Sequence, residues 1–563
     1  MAEGALEDSI LKDFDEKQSA RSRWDYHWRR VSRYYHPDED ENIFSDQAYS
    51  DPGDQETDYI FDSTAVTACD RFGTIIDSYL TPQGARWQSL RPLRDELAKD
   101  KKVKRWYEKV TNILFDNRYN PAANFVSQNG QTYISTGSYG TGCTYVDEPE
   151  DGKGLRYKSI HLSQLYLGEN HQGMVDRVYR KFYLTVEQIE EKFGKVPVEL
   201  GNEMMGKPNE KIELLHVVRE LKDKKTEADI DSPWQAFYIW KARKKIIDES
   251  RFTSMPYCVS RYAQTPGEIY GRSPAMRALP TVYTLNKQMQ DYLEQVHRQL
   301  NPILLTHDDG SLGSAYDLTP GAVNAGGVTA DGKRLVEILP VGDTRVGKQS
   351  MEEERMSIND TFFINLFQIL TKNPQMTATE VMERTKEKMN LLGPPLGKIE
   401  SEYLGALTRR EVDLLMRQRA FPEPPPIIGK DKTRSAYKII PEGPLSRMRR
   451  AESASGMLRW VEVLISHAQT MQRPDILDKV NVEKFSELLA DAWGVPLDAM
   501  ATDEKINEVR TARAEQAKAV QEVERMKAEA AMLTAAGGAT KALSESGAGA
   551  GGLGDEEGGG EGV

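Results

Sequence analysis

Seven residues carry the spacing of a phosphate-binding loop. In Gly327-Val328-Thr329-Ala330-Asp331-Gly332-Lys333, two glycines five positions apart precede a lysine, the pattern in which backbone N–H groups cradle phosphate and the ammonium neutralises it. Arg334, however, stands where such a loop needs Ser or Thr to hold magnesium. No buried strand leads in, and a strand rather than a helix follows, so no helix N-terminus would face the phosphate. A second Gly-rich run, Gly137-Ser138-Tyr139-Gly140-Thr141-Gly142, passes from a helix into the strand Cys143-Thr144-Tyr145-Val146. That order is the reverse of a phosphate loop and reads as a turn needing small residues. Gly271-Arg272-Ser273-Pro274 lacks the last glycine of a nucleophile elbow. The eight histidines are scattered, and neither His-x-x-x-His nor Cys-x-x-Cys pairing is present to hold zinc. Glu352, Glu353 and Glu354 occupy successive positions and fan around a helix instead of converging on a metal. The reading is of a protein that is not an enzyme and uses no cofactor or metal.

Composition narrows the remaining classes. The net charge of -13 over 563 residues argues against a wrapping DNA binder held by phosphate neutralisation. Three isolated cysteines give no disulfide framework and fit a reducing compartment. The first residues lack a basic-then-apolar signal and no window approaches 18 apolar residues, so a soluble protein assembled inside a cell is expected.

The residues that organise the chain run from Tyr270 to about Arg419. Ser273 is placed to cap a helix and Pro274 to begin it. Leu279, Val282, Asn286, Met289, Leu293, Val296 and Leu300 then recur at steps of three and four, a heptad seam with one polar position. About 26 residues at ~1.5 Å each give a rod of roughly 39 Å, ended by Asn301-Pro302. A second rod, about 344–370, is charged at first and apolar later (Phe362, Phe363, Ile364, Leu366, Phe367). Some forty residues of loop and strand separate the rods, too many for a helical hairpin, so a stem with a small lobe at its tip is expected. Thr377 with Glu380 forms a capping box for a third helix, which Gly393-Pro394-Pro395 must break or kink before it resumes to about Arg419.

Around this centre the chain predicts N-terminal helices, one with an aromatic stripe (Trp24, Trp28, Val31, Tyr35) and a solvated basic flank. Short β runs follow from Leu155 to Tyr262, interrupted by one helix capped by Thr185 and Gln188 and ended at Gly194. Beyond Pro426, helices are expected at Ala454–Thr470 and Val482–Trp493. A long alanine-rich helix should run from Thr502 to about Leu533, followed by a disordered, acidic, Gly-rich tail. The fold class is α+β and predominantly helical.

At this point the chain resembles the portal, or head-to-tail connector, proteins of short-tailed bacteriophages of the podovirus type. The resemblance rests on Tyr270-Gly271-Arg272-Ser273-Pro274, Leu285-Asn286, Thr377-Ala378-Thr379-Glu380-Val381, Leu392-Gly393-Pro394-Pro395-Leu396-Gly397 and Glu400-Ser401-Glu402. Upstream, Ile60-Phe61-Asp62-Ser63-Thr64 and Leu80-Thr81-Pro82-Gln83-Gly84 with Trp87 belong to it as well. No single motif decides; their order and spacing over roughly residues 20–500 do.

The resemblance implies a closed ring, usually of twelve copies, at one vertex of the capsid in the virion, assembled in the host cytoplasm. It implies a wing (1–269), two stem helices (270–301 and 344–370) with packing at Leu279, Val282, Met289, Leu293 and Val296, and a clip (302–343). Asp308 and Asp309 of the clip become candidate contacts for motor and tail. A tunnel loop (371–377) offers Lys372, Asn373 and Gln375 to passing DNA. A kinked wing helix (378–426), C-terminal wing or crown helices (427–500), a crown helix (501–536) and a tail (537–563) complete the chain. Implied partners are further copies of the chain, double-stranded DNA, the terminase large subunit, capsid and scaffolding proteins and tail adaptor proteins, with no membrane. Twelve times -13 is about -156, a surface that repels DNA and lets it slide. Rival readings are a nucleotide-driven motor or nuclease, which lacks its motifs here, and a scaffolding or tail-adaptor protein without a DNA conduit.

Overall fold

A computed structural model describes residues 3–39, 41–44, 57–194, 200, 209–221, 226–306, 323, 328–329, 331–334, 336–339, 345–365, 393–428, 437–493, 495, 499–501 and 503–545. The chain divides into two compact units, Met1–Ser455 and Gly456–Val563.

In the first unit, helix α1 (Glu3–Tyr35) serves two cores. Its first turns bury Ile10, Leu11 and Phe14 against Tyr166, Tyr179, Leu215, Val217, Phe237 and Ile239 of a sheet. Its last turns bury Trp28, Val31 and Tyr35 in the main core. Between them Arg21 is 3% exposed rather than solvated. Its guanidinium donates to the carbonyls of Leu162 (3.1 Å), Ser163 (3.0 Å) and Leu165 (2.6 Å) and lies 3.8 Å from the centre of the Tyr166 ring. The basic flank expected to face water thus partly supplies internal donors to the carbonyls of the turn at Leu162–Gln164 and the start of β4.

Helix α2 (Thr64–Leu80) buries Cys69, Phe72 and Ile76, and α3 (Lys101–Arg118) starts at Asp100, whose carboxylate accepts from the N–H groups of Lys102 and Val103. Helix α4 (Phe125–Tyr139) ends at Gly140, φ +78°, and runs straight into strand β2 (Thr141–Asp147). Small residues are required at that junction. A Cβ on Gly137 would stand 2.5 Å from Phe72, one on Gly140 2.2 Å from the Gly271 carbonyl, and one on Gly142 2.4 Å from the Thr132 carbonyl.

The β-rich region makes two antiparallel sheets. β2 lies between β3 (Arg156–Ser159) and β9 (Tyr257–Arg261). The larger sheet runs β4 (Leu165–Glu169), β5 (Val175–Leu184), β6 (Ile212–Glu220), β7 (Trp234–Trp240) and β8 (Lys245–Phe252) in consecutive order. Helix α5 (Val186–Phe193) interrupts it with both hydrogen bonds of the Thr185–Gln188 capping box and Gly194 in the left-handed conformation. The run 155–162 is shorter as a strand than its composition suggests, and β4 follows it unannounced. β1 (Gln88–Pro92) pairs with β12 (Tyr437–Pro441) across some 350 residues of chain, a closure without any local signal.

The longer helices that follow in this unit are α6 (Pro274–Leu300), α7 (Arg345–Thr361) and α8 (residues 393–417). A short hairpin, β10 (Leu304–Thr306) with β11 (Val336–Ile338), lies between α6 and α7 in the chain. α7 is interrupted after Thr361 within the span 344–370 that the sequence suggests; Ile364 and Asn365 are helical again, and 366–370 lie outside the described residues. Phe362 is fully buried against the rings of Tyr35 and Phe72, and Phe363 takes φ +60°, so core packing breaks the helix at that point. α8 contains a π-helical turn, Glu400–Leu404, invisible in the sequence. The extra residue re-phases the helix so that Tyr403 and Leu404, then Leu407, Thr408, Glu411 and Leu414, all face the core.

The second unit holds the end of α9 (Pro444–Thr470), α10 (Val482–Trp493) and α11 (Asp503–Glu545). α11 continues past the end near Leu533 that the sequence suggests. Trp460, Val463, Leu488, Trp493, Val509 and Val520 are all exposed on this unit.

Candidate functional site

Cys69, Cys143 and Cys258 are buried, and burial pushes each thiol up, away from the reactive thiolate. Among the described residues, no group of three or more His, Cys, Asp or Glu side chains is placed to hold a metal. The phosphate-loop spacing folds instead as a tight turn: Val328 bridges Arg334, the Thr329 N–H donates to the Lys333 carbonyl at 2.9 Å, and Gly332 takes φ +80°. That turn points no helix N-terminus at a ligand.

The two rods expected from the sequence are α6 and α7. α6 begins where the Ser273 hydroxyl accepts the Met276 N–H at 2.9 Å, with Pro274 at its first position. Its first half is core: Ala275, Ala278, Leu279, Val282, Leu285 and Asn286 are buried. Pro280 sits inside the helix and removes one donor, which the sequence reading overlooked. α6 also meets α1, where Arg30 Nε donates to the Tyr283 hydroxyl at 2.9 Å and Tyr34 packs edge-on to Tyr283. Against α7, Gln288 Nε2 donates to Ser350 Oγ at 3.3 Å, and Lys348 lies 5.6 Å over the Tyr292 ring. Residue 288 is opposite 350 and 292 opposite 348, so the rods run antiparallel. Beyond their far ends the Leu339 N–H donates to the Ile303 carbonyl and closes the β10–β11 hairpin.

A clamp fixes the base of the rods. Asn286, the single polar residue of the heptad seam, turns its Oδ1 to accept the backbone N–H groups of Phe61 and Asp62, both at 3.1 Å. Asp62 accepts from Arg355 Nε (2.9 Å) and Nη2 (2.7 Å) on α7, while its other oxygen accepts the Thr64 N–H at 2.9 Å. Burial works against the Asp62 charge, but the bonds from Thr64 and Arg355 prevail and hold its carboxyl below the usual range. One loop, residues 60–64, is thereby bolted to both rods. The signal was present as an asparagine in an apolar seam, yet its partner 225 positions away was not legible.

The other sequence candidates are spread unevenly. Leu279 and Val282 are buried, Met289 and Val296 half-buried, and Leu293 is 39% exposed. The distal part of α6 otherwise shows charge pairs, Lys287 with Asp291 (3.1 Å) and Glu294 with Arg298 (3.7 Å). The apolar seam is therefore covered at its base and partly open toward the tip. Lys372, Asn373, Gln375, Asp308 and Asp309 lie outside the described residues.

A buried ion pair and a partly exposed triad tie the scaffold together. Arg118 and Glu411 are both completely buried; Arg118 Nε donates to Glu411 Oε1 at 3.0 Å, and the Tyr157 hydroxyl donates to the same carboxylate. Arg261 of β9 joins Glu402 of the π turn (2.8 Å) and Glu169 of β4. Each arginine thus links elements more than 90 residues apart.

With this geometry in place, comparison with known proteins gives three findings. The family described as bacteriophage head to tail connecting protein matches residues 7–500. The "Probable portal protein" of Bordetella phage BPP-1 is 24% identical over 543 residues, covering 93% of this chain and 94% of its own, and the "Portal protein" of Salmonella phage epsilon15 is 24% identical over 549 residues, covering 95% of each. A chain in the virion of a native gene transfer agent particle superposes with a TM-score of 0.36 at 12% identity, over 71% of this chain and 85% of that one, too distant to carry an argument.

Proposed function

The chain belongs to the bacteriophage head to tail connecting proteins and is a structural portal subunit of the capsid vertex, and from that premise we propose how its parts serve the role. Copies close into a ring, twelve by the family's habit, with the α6–α7 rods side by side around the axis. Double-stranded DNA moves through that axis, driven inward by a terminase motor and later released outward. The lobe at 302–343, with Asp308 and Asp309, faces the motor and then the tail proteins. Residues 371–377 project inward, with Lys372, Asn373 and Gln375 making transient contacts to the DNA backbone, and residues 501–536 belong to a crown on the head-interior side.

The observation that supports this reading is the pair of antiparallel rods, locked at the base by Asn286 and by Asp62 with Arg355, whose apolar seam opens toward the tip. A half-covered seam at Leu293 calls for a neighbouring rod. The net charge of -13 per copy keeps the duplex from adhering to the walls. A tail-adaptor role would need neither matched rods nor an inward loop and is not favoured.

Light scattering on the purified protein, with negative-stain images of the same peak, tests the ring. A particle of about twelve copies with a central hole is expected; a dimer or an open filament would overturn it. Lys372→Ala tests the loop, and an unchanged packaging rate with an unchanged packaged genome length would remove its role.

A further inference from the structure

Helix α3 opens with cations where a helix favours anions. Lys101, Lys102 and Lys104 occupy its opening turn, no acid joins them there, and the positive end of the backbone dipole lies at that end. Lys101, Arg105 and Lys109 then repeat at four-residue steps, and Lys102 stands three residues before Arg105, so like charges face one another along one side. Both arrangements work against the helix. A turn optimised for stability alone carries Asp or Glu, and local conflicts of this kind are kept where function requires them.

Nearby acids leave these charges largely uncompensated. From Lys99 to Lys109 six cations accompany two acids, Asp100 and Glu108, and both acids are engaged. The Asp100 carboxylate accepts the Lys102 and Val103 N–H groups, and Glu108 pairs with Arg86 at 3.4 Å. Lys102 and Lys109 are exposed and Arg105 is half-buried, and among the described residues no acid pairs with any of the three. Further acids border the face: Glu96 precedes it, Asp116 lies beyond Lys109 toward the end of α3, and Glu423 follows Pro422, whose carbonyl accepts Trp106 Nε1 at 3.0 Å. The net charge of -13 belongs to the whole chain. At a screening length of about 8 Å in physiological salt, an approaching polyanion meets the local charge first.

The kind of polyanion follows from what else the face carries. Among the described residues, α3 exposes no large apolar side chain. A protein partner needs an apolar centre and disfavours lysine there, whereas a surface that binds nucleic acid is polar and positive. Asp100 already takes the N–H groups at the helix start, so recognition falls to the long side chains. Lys101 to Lys109 span about 12 Å at ~1.5 Å per residue, the rise of roughly three to four nucleotides of one strand at ~3.4 Å each.

We propose that the exposed face of α3 binds the phosphate backbone of double-stranded DNA, at a site apart from the rods and without sequence preference. Lys102, Arg105 and Lys109 each neutralise one phosphate, and Lys101 and Lys104 strengthen the local field. Phosphates at this face relieve both the dipole and the like charges that the free helix leaves opposed. The site does not depend on the channel reading, because α3 is no part of the α6–α7 pair.

Fluorescence anisotropy of a short labelled duplex of mixed sequence, titrated with the full-length protein, tests it. Three phosphate contacts give a slope of about -2.7 in log affinity against log salt, so raising the salt from 50 to 200 mM should weaken binding about fortyfold. Lys102→Gln, Arg105→Gln and Lys109→Gln together keep good helix formers and should remove most of the binding. Each alone should lower the slope by about 0.9 and weaken binding alike on any sequence. Lys12→Gln, which removes an exposed cation from α1, should leave the affinity unchanged. Circular dichroism verifies that each variant is folded. Binding that the triple variant retains overturns the proposal, as does no binding at 50 mM salt with protein at about 100 μM. Polyglutamate of matched charge that binds as tightly as the duplex would assign the face to an acidic protein and likewise overturn it. These readouts need no ring, so they are independent of the channel reading above.

Discussion

Replacing Asn286 by alanine tests whether the loop at 60–64 is held to the rods by one side chain. The substitution keeps helix propensity and removes only the amide whose Oδ1 accepts two backbone N–H groups at 3.1 Å. The two donors fare differently. Phe61 is 39% exposed and its N–H can turn to water, whereas Asp62 is 8% exposed and cannot readily do so. The cost is therefore about one net hydrogen bond of ~1 kcal/mol plus a stranded donor of ~1 kcal/mol, about 2 kcal/mol together. In an opening equilibrium that is roughly thirtyfold, at 1.36 kcal/mol per decade. Native-state hydrogen exchange reads it directly: the Phe61 and Asp62 amides should exchange about thirtyfold faster, while α2 and the first turns of α6 keep their protection. Unchanged exchange at both amides would refute the clamp. A uniform loss of protection across the unit would refute its local character.

Glu411→Ala leaves the Arg118 guanidinium buried and unpaired and should cost about 3–5 kcal/mol in urea unfolding, most of which the double replacement Arg118→Met with Glu411→Leu should recover. Gly140→Ala combines a φ of +78° with a Cβ 2.2 Å from the Gly271 carbonyl and should cost about 3 kcal/mol or more, whereas Gly152→Ala, at φ +68° with nothing within 4 Å, should cost only about 1 kcal/mol; comparative thermal melts distinguish them. Acid should act through the cluster at the end of α1. Burial opposes the Glu39 charge, but His161, His36 and the Tyr139 hydroxyl hold its carboxyl at about 2 against an ordinary 4.5, so the stability it adds is present above 4.5 and is lost as pH falls toward 2. His36 is buried and held below 6.5, so stability also declines as pH drops under 6.5 and the unfolded chain takes up that proton. Thermal melting should fall in two stages on acidification; Glu39→Gln should flatten the lower stage and deepen the upper one, because the Glu39 charge also favours the proton on His36.

Much of the local structure was legible from residue types. Ser273 and Pro274 at the start of α6, the Thr185–Gln188 box with Gly194 around α5, and the bounds Val482–Trp493 of α10 follow from capping and periodicity, which act within one or two turns. The expectation against nucleotide and metal chemistry was equally local, because it rested on Arg334 and the scattered histidines, which are visible without a fold. The candidate site was legible only as a seam of apolar residues with one asparagine in it.

What the sequence by itself determined, then, is most of the helices and several of their caps, since each depends on neighbours a few residues away, and, through the order of its motifs, the resemblance to portal proteins. The tertiary structure alone decided that Asn286 holds Phe61 and Asp62, that Arg355 completes the clamp, and that the helix is broken at Phe362 and Phe363 because Phe362 enters the core. It alone inserted the π turn into α8 and paired β1 with β12. These features depend on contacts between residues tens to hundreds of positions apart. Burial of an unsatisfied donor or an unpacked ring costs more than local propensity can oppose, so the partner brought near by the fold settles the outcome.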